Sequence, residues 1–290
     1  MKKGFRGGFA YFIILAVYVL AAAFGILIAK LLDLDLWLEL LIADAAATVF
    51  VFVFSVAFRN ASVYDPYWSV QPMVILASYA VARGSVGPMG IIVTVCVFLW
   101  GIRLTANWAY VFRGMDHEDW RYVMLREKTG KLYPLVNFFG IHMFPTLVVY
   151  LCTLPAVYLV TTDAPFTPLG LIGAAVCLTA VALQTVSDIE MQRFRARETG
   201  GIISEGLWKY SRHPNYLGEI LMWWGVALIA VFSLPFEPIF IVGAAVNTVM
   251  FLVISIPMAE KRYSTREGYA DNKKRTRVLL PVRKPLFGGK

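Results

Sequence analysis

Eight long apolar runs, each closed by polar or helix-breaking residues, leave this chain little choice of fold. They extend from about Phe9 to Leu32, Leu36 to Phe58, Tyr67 to Ala82, Val86 to Ala106, Val136 to Val160, Leu169 to Val186, Tyr216 to Leu234 and Ile239 to Met258. Most approach the ~20 residues that carry a helix across a hydrocarbon core, and the third is short. Lipid offers backbone groups no partner, so such runs pair internally as helices. The sequence is 59% hydrophobic and 16% charged, against about 25% charged residues in a soluble domain. It therefore predicts an all-α, polytopic transmembrane bundle of seven to eight spans. Residues 1–59 read as N-terminal membrane helices, and 60–290 as the main membrane domain with a basic tail.

Charge placement gives an independent check. If the helices alternate from a cytoplasmic N-terminus, only Lys30 and Arg83 of the 27 Lys and Arg residues face outward. That is the asymmetry of the positive-inside rule, and it puts both termini in the cytoplasm, with a bacterial inner membrane as the expected location. The net charge of +8 then needs no nucleic-acid partner, because anionic membrane lipids account for it. Met1, Lys2, Lys3 and Arg6 before an apolar run, with Ala21 to Ala23 near its end, resemble a signal peptide. The run exceeds the about 7–15 residues of such a segment, and it is kept as the first span. Cys96, Cys152 and Cys177 lie within apolar runs without paired spacing, and packing is their expected role. No metal site is expected at His117 or His142.

The most informative polar stretch runs from Ser204 to Gly225, where a basic, aromatic segment passes directly into an apolar one. Pro214 suits the first position of a helix, since its missing N–H would be unpaired there. Asn215, Tyr216 and Leu217 would then present free backbone N–H groups beside Arg212 and His213, as at an anion site. Asn215 and Glu219 share one helix face, and a glutamate one turn inside a membrane segment is costly unless something uses it. A membrane-entry turn with interfacial anchors is the alternative.

Other polar groups point the same way. Gln184, Asp188, Met191 and Arg195 recur at steps of four, three and four, forming a stripe down one helix face. The stripe either satisfies itself, Asp188 with Arg195 through water, or faces the Arg-His-Pro-Asn turn. Arg103, one turn inside the fourth run, either snorkels outward or reaches inward to an anion. Asp65 before Pro66 reads as a helix cap, or as a desolvated acid that donates hydrogen bonds with Tyr64 and Tyr67. The loop from Phe112 to Pro134 reads as a mixed-charge solvated face. Glu260 and Tyr263 at the last membrane boundary are placed to close a pocket from the other side.

The segment Gly206-Leu-Trp-Lys-Tyr210-Ser-Arg212-His213-Pro214-Asn215-Tyr216-Leu-Gly218-Glu219 resembles the signature of the steroid 5-alpha-reductase superfamily. It is most similar to a bacterial branch known as a domain of unknown function related to the reductase C-terminal half. The resemblance extends from about Asn60 to Pro281 and includes the Tyr64 to Ser69 and Arg103 to Trp108 segments. It implies a membrane-embedded, NADPH-dependent reductase of a C=C bond conjugated to a carbonyl, acting on a steroid-like or other lipid that enters from the bilayer between the early helices. It also implies that Arg103, Gln184, Asp188, Arg195, Tyr210, Asn215, Glu219 and Tyr263 contact the cofactor, with Arg212, His213 and Tyr216 of the same turn, and that Asp65 falls near the catalytic acid. Trp100 stands where the family has its catalytic tyrosine, and an indole N–H donates a hydrogen bond without releasing a proton. The Arg-His-Pro core is shared with S-adenosylmethionine-dependent isoprenylcysteine and phospholipid methyltransferases, and a non-catalytic lipid-binding protein is a third reading. An acid at Glu219 resembles the reductases.

Overall fold

A computed structural model of the chain describes residues 3–197 and 200–282. The helices are α1 (Lys3–Leu31), α2 (Leu36–Ala57), α3 (Tyr67–Arg83), α4 (Pro88–Val111), α5 (Trp120–Thr129), the single turn α6 (Tyr133–Leu135), α7 (Phe144–Thr161), α8 (Gly170–Ala196), α9 (Pro214–Ser233), α10 (Ile239–Met250), α11 (Ile256–Tyr263) and α12 (Tyr269–Arg275). Wide-turn π segments, Val136–Met143 and Phe251–Ser255, join α6 to α7 and α10 to α11. Among the described residues seven continuous helical stretches are long and apolar enough to span a membrane, so this is an integral membrane bundle. The third apolar run is α3, 17 residues with Pro72 inside it, where the ring removes one backbone hydrogen bond.

The all-round apolar character of α7 places it at the centre, with Val148 to Val160 almost continuously buried. Around it α3, α4, α9 and α10 build the main core from residues such as Val97, Trp100, Leu154, Trp223 and Phe240. A second core joins α1 and α2 to Val63, Tyr64 and Tyr67. Cys96, Cys152 and Cys177 are buried free thiols.

The polar connections gather at one end of the bundle. Asn60 donates to the Met115 carbonyl at 2.6 Å, Glu118 accepts from the Ala61 N–H at 2.8 Å, and Arg262 lies 4.0 Å over the Trp120 ring. At the opposite end Arg83, one of the two outward cations of the sequence reading, pairs with Asp163 at 3.1 Å.

Candidate functional site

The site is built by α8 and α9, which touch almost backbone to backbone. Along one face of α8 come Gly173, Cys177, Ala180, Gln184, Asp188, Met191 and Arg195, so a groove of small residues becomes a polar stripe toward the helix end. Gly225 and Gly218 of α9 lie against it. A Cβ at Gly225 would stand 2.5 Å from Cys177 Sγ and 2.9 Å from the Gly173 carbonyl, and one at Gly218 would overlap Gln184. Only glycine permits this approach, and the approach brings Gln184 within reach of Glu219.

Glu219 is 5% exposed, yet its carboxylate is fully provided with donors. Oε2 accepts from Trp100 Nε1 at 2.8 Å and Gln184 Nε2 at 2.7 Å, and Oε1 accepts from Trp223 Nε1 at 2.9 Å. Gln184 Oε1 in turn accepts from Arg103 at 2.8 Å, and Arg103 donates to Asp188 at 2.7 Å. Arg103 therefore reaches inward, and Asp188 pairs with it rather than with Arg195 as the self-satisfying reading supposed. Three N–H donors offset the desolvation of a buried carboxylate. The indole at Trp100 has a definite task here, anchoring Glu219.

Where the stripe leaves the apolar layer there is a cavity of about 180 Å³. Asp188, Arg195, His213, Asn215, Tyr216 and Tyr263 line it, together with Asn107, Met191, Gln192 and Trp208. Asn215 Oδ1 is buried without a hydrogen-bond partner, as is Arg103 Nε. An adjoining recess of about 90 Å³ shares Met191, Arg195, Trp208 and Tyr263, and adds Arg212, Glu260 and Arg266.

The Arg-His turn departs from the sequence-level picture. α9 begins at Pro214 as expected, but the Leu217 N–H already bonds the His213 carbonyl at 3.2 Å. Arg212 is no open anion receptor. Its guanidinium donates to Glu260 at 2.7 Å and to the Thr276 carbonyl at 2.9 Å, and its side chain is 8% exposed. His213 meets the same Glu260 oxygen at 2.9 Å and stacks on Tyr216. Tyr210 lines neither cavity, and its carbonyl accepts from the Arg277 N–H. Residues 210–213 and 277–279 form a short parallel bridge, closed by Ser211 Oγ donating to Leu279 at 2.7 Å. The turn is thus held by the segment after α12, a pairing that neither stretch announces in sequence.

Tyr64, Asp65 and Tyr67 lie outside this cavity. Tyr64 shares a 2.8 Å hydrogen bond with Thr146. Tyr67 lines a separate cavity of about 780 Å³ between α1, α2 and α3. Asp65 caps no helix with its side chain, because Pro66 precedes α3 without a side-chain hydrogen bond. Its carboxylate accepts from the Tyr122 hydroxyl at 2.6 Å, with Arg121 at 3.7 Å. Burial pushes this carboxyl up to about 6, against the opposing pull of Arg121 and Tyr122. The folded protein therefore holds a proton that the unfolded chain releases near pH 4. Asp65 favours folding below that pH and loses this contribution as pH rises through 6. Two units correspond to about 3 kcal/mol, which the 16% exposure of the side chain lowers to on the order of 2 kcal/mol. Thermal melts of Asp65→Asn should lack this loss between pH 4 and 7, and a variant melting in parallel with the parent would contradict the assignment.

With that geometry in place, comparison with known proteins supplies a family. Residues 51–276 match the model of "Protein of unknown function (DUF1295)". The chain belongs to the DUF1295 family. The DUF1295 match takes in α3 to α12 and every residue of the Glu219 network, and leaves α1 and most of α2 outside. The DUF1295 chain is also 27% identical over 197 residues to "Uncharacterized protein C594.04c" of Schizosaccharomyces pombe. That alignment covers 58% of this chain and 57% of the relative, so the chain spans little more than half of that protein's length. No solved structure matches.

Proposed function

We propose that this DUF1295 protein is an NADPH-dependent reductase that saturates a C=C bond conjugated to a carbonyl in a lipid, working from the cytoplasmic side of the membrane. The observation that carries this reading is the unpartnered Asn215 Oδ1, buried in a cavity whose other polar walls include Asp188 and Arg195. A carboxamide has both the donor that Asn215 lacks and an acceptor for the Asn215 N–H₂, so the donor set suits the amide of a nicotinamide. Arg195 and Arg266 supply charge for phosphates along the adjoining recess. The two hollows hold one end of a dinucleotide, and the whole molecule needs the recess widened past Trp208 and Tyr263.

Glu219 is a positioning residue: it fixes Gln184, which fixes Arg103, which fixes Asp188 at the cavity wall. When bound, NADPH supplies the hydride for the β-carbon of the acceptor. The chain must meet the charge that collects on the carbonyl oxygen, for which a hydrogen-bond donor set in advance is needed. Asp65, whose carboxyl burial pushes up to about 6, is the acid for that role through its protonated fraction, with Tyr122 beside it, and the acceptor must reach from the Asn215 cavity to Asp65.

The test is direct. The protein is purified in mild detergent and denatured, and released nucleotides are identified by mass spectrometry. NADP(H) is the expected result; an S-adenosyl compound would replace the reading with a methyltransferase, and no nucleotide would leave a lipid-binding protein. On adding NADPH back, quenching of Trp208 should report binding, and Asn215→Leu should weaken it about tenfold to a hundredfold.

A further inference from the structure

A cavity of about 780 Å³ lies between α1, α2 and α3. It shares no lining residue with the Asn215 cavity, and on the α1 and α2 side it is walled by residues that precede the DUF1295 match. Its volume lies in the range of about 300–1,000 Å³ that holds small-molecule ligands.

Polarity along this cavity is graded. The walls are small and apolar: Ala22, Gly25 and Ala29 from α1, Ala43 and Ala47 from α2, and Val74 from α3. Lys30, Glu39 and Tyr79 stand at one end, with Tyr79 donating to Glu39 at 3.2 Å. At the other end are Asp44 and Gln71, 5% and 4% exposed. From Tyr18 to Lys30 along α1 the lining spans about 18 Å at a rise of ~1.5 Å per residue.

The floor is chemically unfinished. Gln71 Nε2 donates to Asp44, and no cation pairs with that carboxyl among the described residues. Gln71 Oε1 is buried with no partner. An unused buried acceptor weakens the folded state unless something brings a donor to it. The Tyr18 phenol of this wall is already committed, because it donates to the Val63 carbonyl at 2.5 Å. A fatty-acid carboxylate would bring an acceptor against the Gln71 acceptor. A neutral hydroxyl brings the missing donor.

We propose that the α1–α2–α3 cavity binds a lipid alcohol, its hydroxyl donating to Gln71 Oε1 and its apolar body lying along the alanine and glycine walls. This site is independent of the reductase reading, and its test measures binding without NADPH. The protein in phosphatidylcholine vesicles is photolabelled with a diazirine analogue of cholesterol bearing a free hydroxyl, and with its methyl ether. Saturable labelling should map to peptides of α1 to α3, with the ether about tenfold weaker, the loss expected for one hydrogen bond to a buried group. Asp44→Leu combined with Gln71→Leu removes both polar partners together and should bring alcohol and ether to equal labelling. Ala22→Phe fills the cavity and should lower both at least tenfold. Equal labelling by alcohol and ether in the unaltered protein, or labels mapping away from these helices, would overturn the proposal. That comparison needs no variant and so does not depend on how either one folds.

Discussion

Glu219→Leu should remove most of the folded protein from a detergent extract. The substitution strands three buried donors, the indole N–H groups of Trp100 and Trp223 and the Gln184 amide, which now converge on one carboxylate. Each unmet donor costs about 1–3 kcal/mol, and the sum, on the order of 3–9 kcal/mol, reaches the stability of many domains. Glu219→Gln is the informative partner. It keeps the volume but offers one acceptor oxygen to three donors and turns its own N–H₂ toward one of them. A folded, destabilised protein that has lost NADPH oxidation with its lipid acceptor is expected. Size-exclusion profiles and thermal melts measure the first effect and nucleotide binding the second. A Glu219→Leu protein melting within a degree or two of the parent would remove the three-donor account.

The second large effect belongs to a glycine. Gly225→Val places its first side-chain carbon 2.5 Å from Cys177 Sγ and 2.8 Å from the Cys177 backbone nitrogen. Overpacking against movable side chains costs about 1–3 kcal/mol, and here part of the obstacle is backbone, so at least 3 kcal/mol is expected. Spreading α8 from α9 also draws Gln184 off Glu219, so nucleotide affinity should fall with stability. Gly8→Ala, in an exposed position of α1 with nothing within 4 Å of the added carbon, is the matched control and should be neutral or slightly stabilising. Equal melting temperatures for the two variants would refute the close-packed hairpin.

The apolar runs carried the architecture almost completely, because a span in lipid has no alternative conformation. The sequence placed the end of the sixth run at Val186, whereas α8 continues to Ala196. Hydropathy loses a helix once it leaves the apolar layer, while the four-three-four spacing of Gln184, Asp188, Met191 and Arg195 follows it outward. That spacing and the start of α9 at Pro214 located the cavity. A guanidinium beside a helix start, as at Arg212, reads as part of an anion site in sequence, and Glu260, 48 residues later, is the partner that the structure adds. Asp44 and Gln71 went unnoticed for a different reason. Both sit inside apolar runs that read as plain spans, and the argument that singled out Glu219, the cost of an acid at membrane depth, applies equally to Asp44.

The bridge between residues 210–213 and 277–279 bears on how the protein is made. The helices that carry Asn215 and Asp188 enter the bilayer in order as the ribosome delivers them, but the clamp on their junction is synthesised some 68 residues after Ser211. Arg212 and His213 wait in the membrane interface first for Glu260 and then, Arg212 alone, for the Thr276 carbonyl. The hollow beside Asn215 is therefore a late, post-insertion product, and a nascent chain stalled before residue 276 should be threaded through the membrane with that hollow still unformed.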